Sequence, residues 1–187
     1  VKIHVTFLAL VAWWAWSAWS EGGGSAAVEA VVFLLALFSC VLLHEFGHIL
    51  MARRFGVRTP DVILLPIGGL ARLERMPDEP KQELLIAAAG PAVTLLIALA
   101  LFAGLRLAGA PLDGSSLEPG HEGLAQQVMW VNVVLLLFNL LPIFPMDGGR
   151  MLRALLAMRL GLQRATRIAA RLGQVGAVVL GLWGLGF

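Results

Sequence analysis

The sequence predicts an all-α polytopic membrane protein with about five transmembrane helices and a short re-entrant or β-like segment on the cytosolic side. The first supporting observation is composition, since 59% of the residues are hydrophobic, 14% are charged and the mean hydropathy is +0.84. A soluble domain usually carries about 25% charged residues. The second is the presence of five apolar stretches that approach or exceed the ~20 residues needed to cross about 30 Å of hydrocarbon. They cover residues 3–19, 28–52, 84–107, 124–141 and 168–187.

The first apolar stretch ends in a cluster of tryptophans, Trp13, Trp14, Trp16 and Trp19. Such residues are enriched at the boundary between a membrane and water. The sequence Ser17-Ala18-Trp19-Ser20 is not a clean signal-peptidase site, so we expect a retained span. The run Gly22-Gly23-Gly24-Ser25 that follows predicts a flexible external loop before the second span.

The basic residues predict the orientation of the chain. If five helices alternate in direction, all but one of the 14 Lys and Arg residues lie on one side, and only Arg106 lies near the other. By the positive-inside rule, we expect a multi-pass protein of the cell (inner) membrane with its N terminus and residues 53–81 in the cytosol. The same asymmetry accounts for the pI of 9.3. No basic-aromatic surface pattern indicates a nucleic-acid partner.

Residues 62–70 are too short and too broken to span a membrane, yet too apolar for a solvated loop. Two interpretations remain open. The segment could be a hydrophobic surface turn that covers helix ends, or a strand-like edge beside the functional site that holds an extended substrate. In the second case Gly68 and Gly69 are candidate substrate-binding positions.

The second span carries polar residues where only apolar ones are expected, in the run His44-Glu45-Phe46-Gly47-His48. A charge near mid-bilayer costs at least about 2.5 kcal/mol, so such residues are functional candidates. His44 and His48 are four residues apart and share a helix face, with Glu45 beside them. This is the arrangement of zinc hydrolases, in which two imidazoles bind the metal and the carboxylate handles the protons of the attacking water.

A catalytic zinc normally has three protein ligands and one open position, so a third ligand must be found. Asp147 follows the return of the fourth span to the side on which His44 lies, about 13 Å inside the boundary marked by Arg53. Its alternative role is the N-cap of an amphipathic helix over residues 148–160. Beside an intramembrane His-Glu-x-x-His motif we favour the ligand role. The other titratable candidates are His4, His121, Glu74, Asp78, Glu79 and Glu83.

Asn139, at the end of the fourth span, needs a hydrogen-bond partner because an unsatisfied amide in an apolar environment is costly. It could make a polar contact in the core, or it could hold the backbone of a substrate.

The motifs HEFGH (residues 44–48) and NLLPIFPMDGG (residues 139–149) together resemble the site-2 protease family of intramembrane metalloproteases. The resemblance covers roughly residues 30–171. Without a PDZ insertion, the chain is similar to the compact branch, whose members often carry C-terminal CBS domains. The family has six core spans, so we expect residues 1–187 to be a single transmembrane metalloprotease domain that lacks the last span and any CBS module.

The resemblance implies an intramembrane zinc endopeptidase with one catalytic Zn²⁺ held by His44, His48 and Asp147, and with Glu45 as the proton carrier. It implies substrates that are single-pass membrane proteins, such as anti-sigma-type regulators, cleaved within or near their transmembrane segments beside membrane lipid. A substrate helix must unwind locally before attack, because its peptide bonds are hidden in internal hydrogen bonds.

Two other functions are compatible with parts of the pattern. A protease of the prenyl-protein processing type usually takes a glutamate from a later helix as third ligand, but no acidic residue follows Asp147. A metal transporter, or a membrane metal-binding protein without proteolytic activity, would use the histidines as transit ligands. Transport calls for polar residues along several spans, whereas here they cluster at one end.

Overall fold

The computed structural model describes residues 2–3, 5–57, 61–65, 68–72, 79–110, 123–184 and 186. In chain order, the elements are β1 (Lys2–Ile3), α1 (Val5–Arg54), β2 (Asp61–Leu65), β3 (Gly68–Arg72), α2 (Pro80–Leu107), α3 (Leu124–Asn139), α4 (Asp147–Leu160) and α5 (Leu162–Gly184).

Helix α1 is broken at Gly23, whose backbone is non-helical (φ 74°, ψ −160°). The two arms fold back on each other. This is shown by the rings of Phe7 and Phe38, one on each arm, which pack edge to face with their centroids 4.5 Å apart. Leu34 is buried in the same cluster. The prediction of a flexible loop at residues 22–25 is therefore wrong: helix continues on both sides of Gly23, and the chain reverses at this one glycine, which tolerates the conformation.

The second arm of α1 packs closely against α2. A Cβ atom on Gly47 would lie 2.6 Å from the carbonyl oxygen of Ala89, so only glycine permits this approach. Below the crossing, Ala52, Val57 and Ile86 form a buried cluster. Small residues at such a crossing let the helix backbones come together, as is typical of helices packed within membranes.

The outer faces of α1, α2 and α3 are largely apolar, and the interior is partly polar. Trp16 is 75% exposed and Leu96 66%. The buried polar side chains of the described residues are His44, His48, Glu83, Thr94, Gln126, Asn132 and Asp147. By length and composition α1 and α2 each suffice to cross a membrane, and α3 is a shorter apolar helix. The five apolar stretches of the sequence fall on the two arms of α1, on α2, on α3 and on residues 168–184 of α5, and the crossing of a membrane by all five stays a prediction.

A small sheet lies beside the helices, with strand order β1-β2-β3. Strand β1 pairs with β2 in parallel, and β2 pairs with β3 antiparallel in the register Leu64↔Gly69 and Leu65↔Gly68. Strand β3 is therefore an edge strand of this sheet, and it lies against α1. The described positions within this segment, 62–65 and 68–70, are strands, as the second interpretation expects, and the binding of a substrate at this edge stays a prediction.

A buried ion pair joins α2 to α4. Nε of Arg153 donates to Oε1 of Glu83 at 2.9 Å, and Nη2 of Arg153 donates to the same oxygen. Glu83 is only 2% exposed. Glu83 is among the other titratable candidates that the sequence offers for the third ligand. In the structure it pairs with Arg153 instead and so holds α4 against α2.

We expect Gly23→Ala to destabilise the hairpin of α1 by about 1–3 kcal/mol, because this φ/ψ combination is almost closed to residues with a Cβ atom. The control is Gly24→Ala, whose Cβ would make an ordinary 3.6 Å contact with the ring of Trp19. Thermal unfolding of the purified protein in detergent measures both. Equal midpoints for the two variants would show that the break at Gly23 is not glycine-dependent.

We expect Glu83→Gln to lower the free energy of unfolding by about 1.5–3 kcal/mol, because it replaces a charge-assisted hydrogen bond to the part-buried guanidinium of Arg153 with a neutral one. The double variant Glu83→Leu/Arg153→Met should recover most of this loss, since an apolar pair of similar volume removes both charges. The control is Glu79→Gln at an exposed position before α2. Detergent-phase unfolding curves provide the comparison, and an unfolding midpoint for Glu83→Gln equal to that of Glu79→Gln would contradict the assignment.

Candidate metal centre

His44 and His48 lie one turn apart on the buried face of the second arm of α1. Their ring centroids are 4.8 Å apart with the planes at 79°, and their Nε2 atoms are separated by 3.1 Å. The spacing of four residues in a regular helix produces this juxtaposition. Two imidazoles therefore present the same nitrogen to one point in the interior.

Asp147 completes the cluster from α4. Its Oδ2 atom lies 3.1 Å from Nε2 of His44 and 3.1 Å from Nε2 of His48. The expected alternative role of Asp147 as an N-cap is wrong: Met146 occupies the N-cap position, Asp147 is the first helical residue, and no side-chain cap bond forms. A carboxylate in the first turn is still favoured by the helix dipole.

The opposite nitrogens of the two rings are held by α2. Nδ1 of His48 donates to the backbone carbonyl of Ile86 at 2.7 Å, because that carbonyl can only accept. Nδ1 of His44 lies 2.8 Å from Oγ1 of Thr94, whose hydroxyl donates to the carbonyl of Gly90 at 3.4 Å. Thr94 is thus free to accept from His44. In the neutral rings both protons are on Nδ1, and both Nε2 atoms carry a lone pair.

Three electron-pair donors consequently face one another at 3.1 Å in a buried site. Such an arrangement is repulsive without a cation or a shared proton between the donors. A tetrahedral zinc with bonds of about 2.0–2.1 Å places its ligands roughly 3.3 Å apart, close to the separation here. Two imidazoles and one carboxylate leave the fourth position open, as in catalytic zinc sites. The donor set therefore fits Zn²⁺, and its ligand types also accept iron or cobalt.

Gly90 on α2 closes one side of the cluster. A Cβ atom there would collide with Nε2 of His48 and would lie 2.7 Å from Nε2 of His44. Ile86, Gly90 and Thr94 are spaced by four residues, so they form a stripe on α2 that faces the His44/His48 stripe on α1. Two of these positions orient the rings through hydrogen bonds, and the third makes room for the rings.

Two glycines let α4 begin at the cluster. A Cβ atom on Gly148 would collide with the carbonyl oxygens of Leu140 and Leu141, and one on Gly149 would lie 2.6 Å from the carbonyl carbon of Ile143. The backbone between α3 and α4 therefore wraps closely over the first turn of α4. This contact fixes where Asp147 starts the helix.

Glu45 is half-buried beside the cluster and outside the group of three donors. Its carboxylate interacts electrostatically with His48, His44, Asp147 and Arg150. An acidic group next to the donors, rather than among them, is in the place where a proton carrier is needed.

The structure does not bring the other predicted positions into the cluster. Asn139 is the half-buried last residue of α3, and the described residues give its side chain no hydrogen bond. Gly68 and Gly69 lie in the edge strand β3. Of the other titratable candidates, Glu79 is exposed. His4, Glu74, Asp78 and His121 lie outside the described residues.

The sequence analysis missed the residues on α2 that support the cluster. Thr94 is a hydroxyl within an apolar run, which is a weak signal that a polar partner is near. Ile86 contributes only its backbone carbonyl, and no sequence signal marks that role. Gly90 is one glycine within an apolar stretch, and no sequence signal marks the space that it leaves for the rings.

Comparison with known proteins gives concordant matches. The sequence pattern of Peptidase family M50 matches residues 32–112 and 106–182. A zinc metalloprotease of Methanocaldococcus jannaschii is 37% identical over 185 residues, which cover 99% of this chain and 51% of that protein. Stage IV sporulation protein FB of Bacillus subtilis is 33% identical over 151 residues, which cover 80% of this chain and 49% of that protein. The chain spans about half the length of these curated relatives.

Among solved structures, the site-2 protease from Methanocaldococcus jannaschii matches with a TM-score of 0.68 and 34% identity, over 98% of this chain and 79% of that chain. This match confirms the fold class and the family expected from the sequence. The chain therefore belongs to peptidase family M50, the site-2 protease family of zinc metalloproteases.

Proposed function

We propose that residues 1–187 form a single transmembrane metalloprotease domain, an intramembrane zinc endopeptidase with one catalytic zinc ion. The observation that carries the proposal is the convergence of His44, His48 and Asp147, whose donor atoms lie 3.1 Å from one another. The membership of the chain in peptidase family M50 supports peptide-bond hydrolysis as the reaction.

Each polar residue of the site has a distinct role in the proposed reaction. His44, His48 and Asp147 hold the zinc, which when bound lowers the pKa of a water molecule to about 7 and polarises the scissile carbonyl. Glu45 accepts the proton of the attacking water and delivers it to the leaving nitrogen. Thr94 and the carbonyl of Ile86 keep the imidazoles in the tautomer that can bind a metal.

We propose that the substrates are membrane proteins cleaved within or near a transmembrane segment, with an anti-sigma-type regulator as one class. The edge strand β3 supports this, because an unwound segment can add to a free sheet edge through main-chain hydrogen bonds. Gly68 and Gly69 begin that strand and are the positions proposed to contact the segment. Asn139 is proposed as a further contact for the substrate backbone.

The proposed location is the cell (inner) membrane, with several spans, a cytosolic N terminus and the active site near the cytosolic face. His44 is ten residues from Arg54, the last residue of α1, which corresponds to about 15 Å along the helix. Basic residues at that end of α1 favour the cytosolic side. Water would then reach the site from the cytosol.

The proposal predicts that metal binding and hydrolysis can be separated by mutation. Glu45→Gln should bind one zinc per chain with wild-type affinity, yet lose about 10²–10⁴-fold in turnover because the proton carrier is gone. Asp147→Ala should weaken zinc binding by more than roughly 100-fold, the upper limit for losing a partner that only orients a ligand.

The measurements are zinc affinity by competition with a chelator and cleavage of a reconstituted single-pass substrate. Equal cleavage by wild type and Glu45→Gln would overturn the assignment, as would full activity after complete chelation. Zinc binding without any cleavage of membrane substrates would instead favour a metal-binding protein.

The packing of Gly90 predicts a metal-binding defect without the loss of any ligand. Gly90→Ala should weaken zinc binding strongly, because the added methyl group must displace the Nε2 atoms of His48 and His44. Gly104→Ala on the same helix is the matched control, since a Cβ atom there meets nothing within 4 Å. Zinc titration of both variants in detergent tests this, and wild-type affinity in Gly90→Ala would contradict the geometry of the cluster.

A further inference from the structure

Arg150 lies one turn after Asp147 on α4 and beside the metal centre. Its Nη1 atom is 3.9 Å from Oδ1 of Asp147, the carboxylate oxygen that does not face the histidines. Its charge also acts on Glu45. A fixed positive charge therefore stands beside the carboxylate of Asp147.

One edge of the Arg150 guanidinium has no acceptor. Nε and Nη2 are both buried and have no hydrogen-bond partner among the described residues. These two nitrogens lie on the same edge of the planar group, the edge that binds an oxygen acceptor through two parallel N–H bonds. Nη1, which is nearer Asp147, lies on the other side of the group.

Buried donors without an acceptor are costly, by about 1–3 kcal/mol each and by more when the group is charged. If Arg150 only filled space between the helices, this cost would be unnecessary, because an apolar side chain of similar size would fill the same space without it. The arrangement is explained if an acceptor arrives during the reaction. The acceptor that becomes strongly negative in peptide hydrolysis is the carbonyl oxygen of the scissile bond.

We propose that Arg150 is a catalytic residue that donates hydrogen bonds from Nε and Nη2 to the scissile carbonyl oxygen of the substrate. This rests on the proposed function. As the oxygen of water bonds to the carbonyl carbon, the π electrons of the carbonyl group move onto the carbonyl oxygen, and Glu45 takes one proton of the water. When the C–N bond breaks, those electrons re-form the carbonyl, and the proton passes to the leaving nitrogen. Arg150 stabilises the negative charge between these two events.

The test compares Arg150→Gln and Arg150→Lys with wild type, using Arg159→Gln at the exposed end of α4 as the matched control. Zinc affinity is measured by competition with a chelator. Two further quantities are measured on the zinc-loaded protein: kcat/KM on a reconstituted substrate, and the affinity for a peptide phosphinate. The phosphinate imitates the charged tetrahedral form of the peptide bond, and its binding requires no turnover.

For Arg150→Gln we expect zinc affinity within a few-fold of wild type, because no metal ligand is lost and Nη1 is 3.9 Å from Asp147, too far for a hydrogen bond that orients this ligand. We expect kcat/KM to fall roughly 10²–10³-fold, as for removal of a donor to a developing oxyanion, with a parallel loss of phosphinate affinity. Arg150→Lys should be intermediate, since an ammonium group cannot form the two-pronged contact. Arg159→Gln should match wild type in all three measurements.

Unchanged phosphinate affinity in Arg150→Gln would overturn the inference. So would a fall in zinc affinity whose effect on kcat/KM disappears at saturating zinc, because Arg150 would then act only through Asp147. If Arg150→Gln does not fold, the folded Arg150→Lys variant decides, and wild-type phosphinate affinity there overturns the inference. A wild-type protein that binds zinc and phosphinate but cleaves nothing contradicts the proposed function, while the phosphinate affinities still test Arg150.

Discussion

The structure depends on one electrostatic constraint, the confinement of three electron-pair donors within 3.1 Å of one another inside an apolar helix assembly. Donors so close repel unless a cation or a proton lies among them. Metal ligands must be deprotonated and correctly placed. The free energy of metal binding at such a site therefore also contributes to the free energy of folding. The packing of α1, α2 and α4 is best understood as the framework that keeps these donors together.

Helix α2 supplies most of that framework without supplying a ligand. Its stripe of Ile86, Gly90 and Thr94 meets the two histidines, and the first and last of these positions fix the tautomer of the rings. Glu83, one turn before Ile86, anchors Arg153 of α4. The same helix therefore orients His44 and His48 and holds the helix that carries Asp147.

The distribution of polarity gives the site its chemical character. The outward faces are apolar, and the buried polar groups concentrate where α1, α2 and α4 meet. In such surroundings each charge acts strongly on its neighbours, because little solvent screens it. Glu45 and Arg150 carry opposite charges beside the donors. Glu45 is suited to accept a proton, and Arg150 is suited to stabilise negative charge.

The sequence by itself determined the helical fold class and the family, because apolar length and the His-Glu-x-x-His spacing are local properties. It also identified Asp147 as the third donor, from its depth relative to His44. Only the tertiary structure decided which residues support the donors. Ile86 accepts a hydrogen bond from His48 through its backbone carbonyl, and Glu83 pairs with Arg153, 70 positions away on the helix that carries Asp147. The tertiary structure also decided that the chain reverses at Gly23 and that Asn139 stays apart from the cluster. Such contacts depend on how helices cross, which no local pattern encodes.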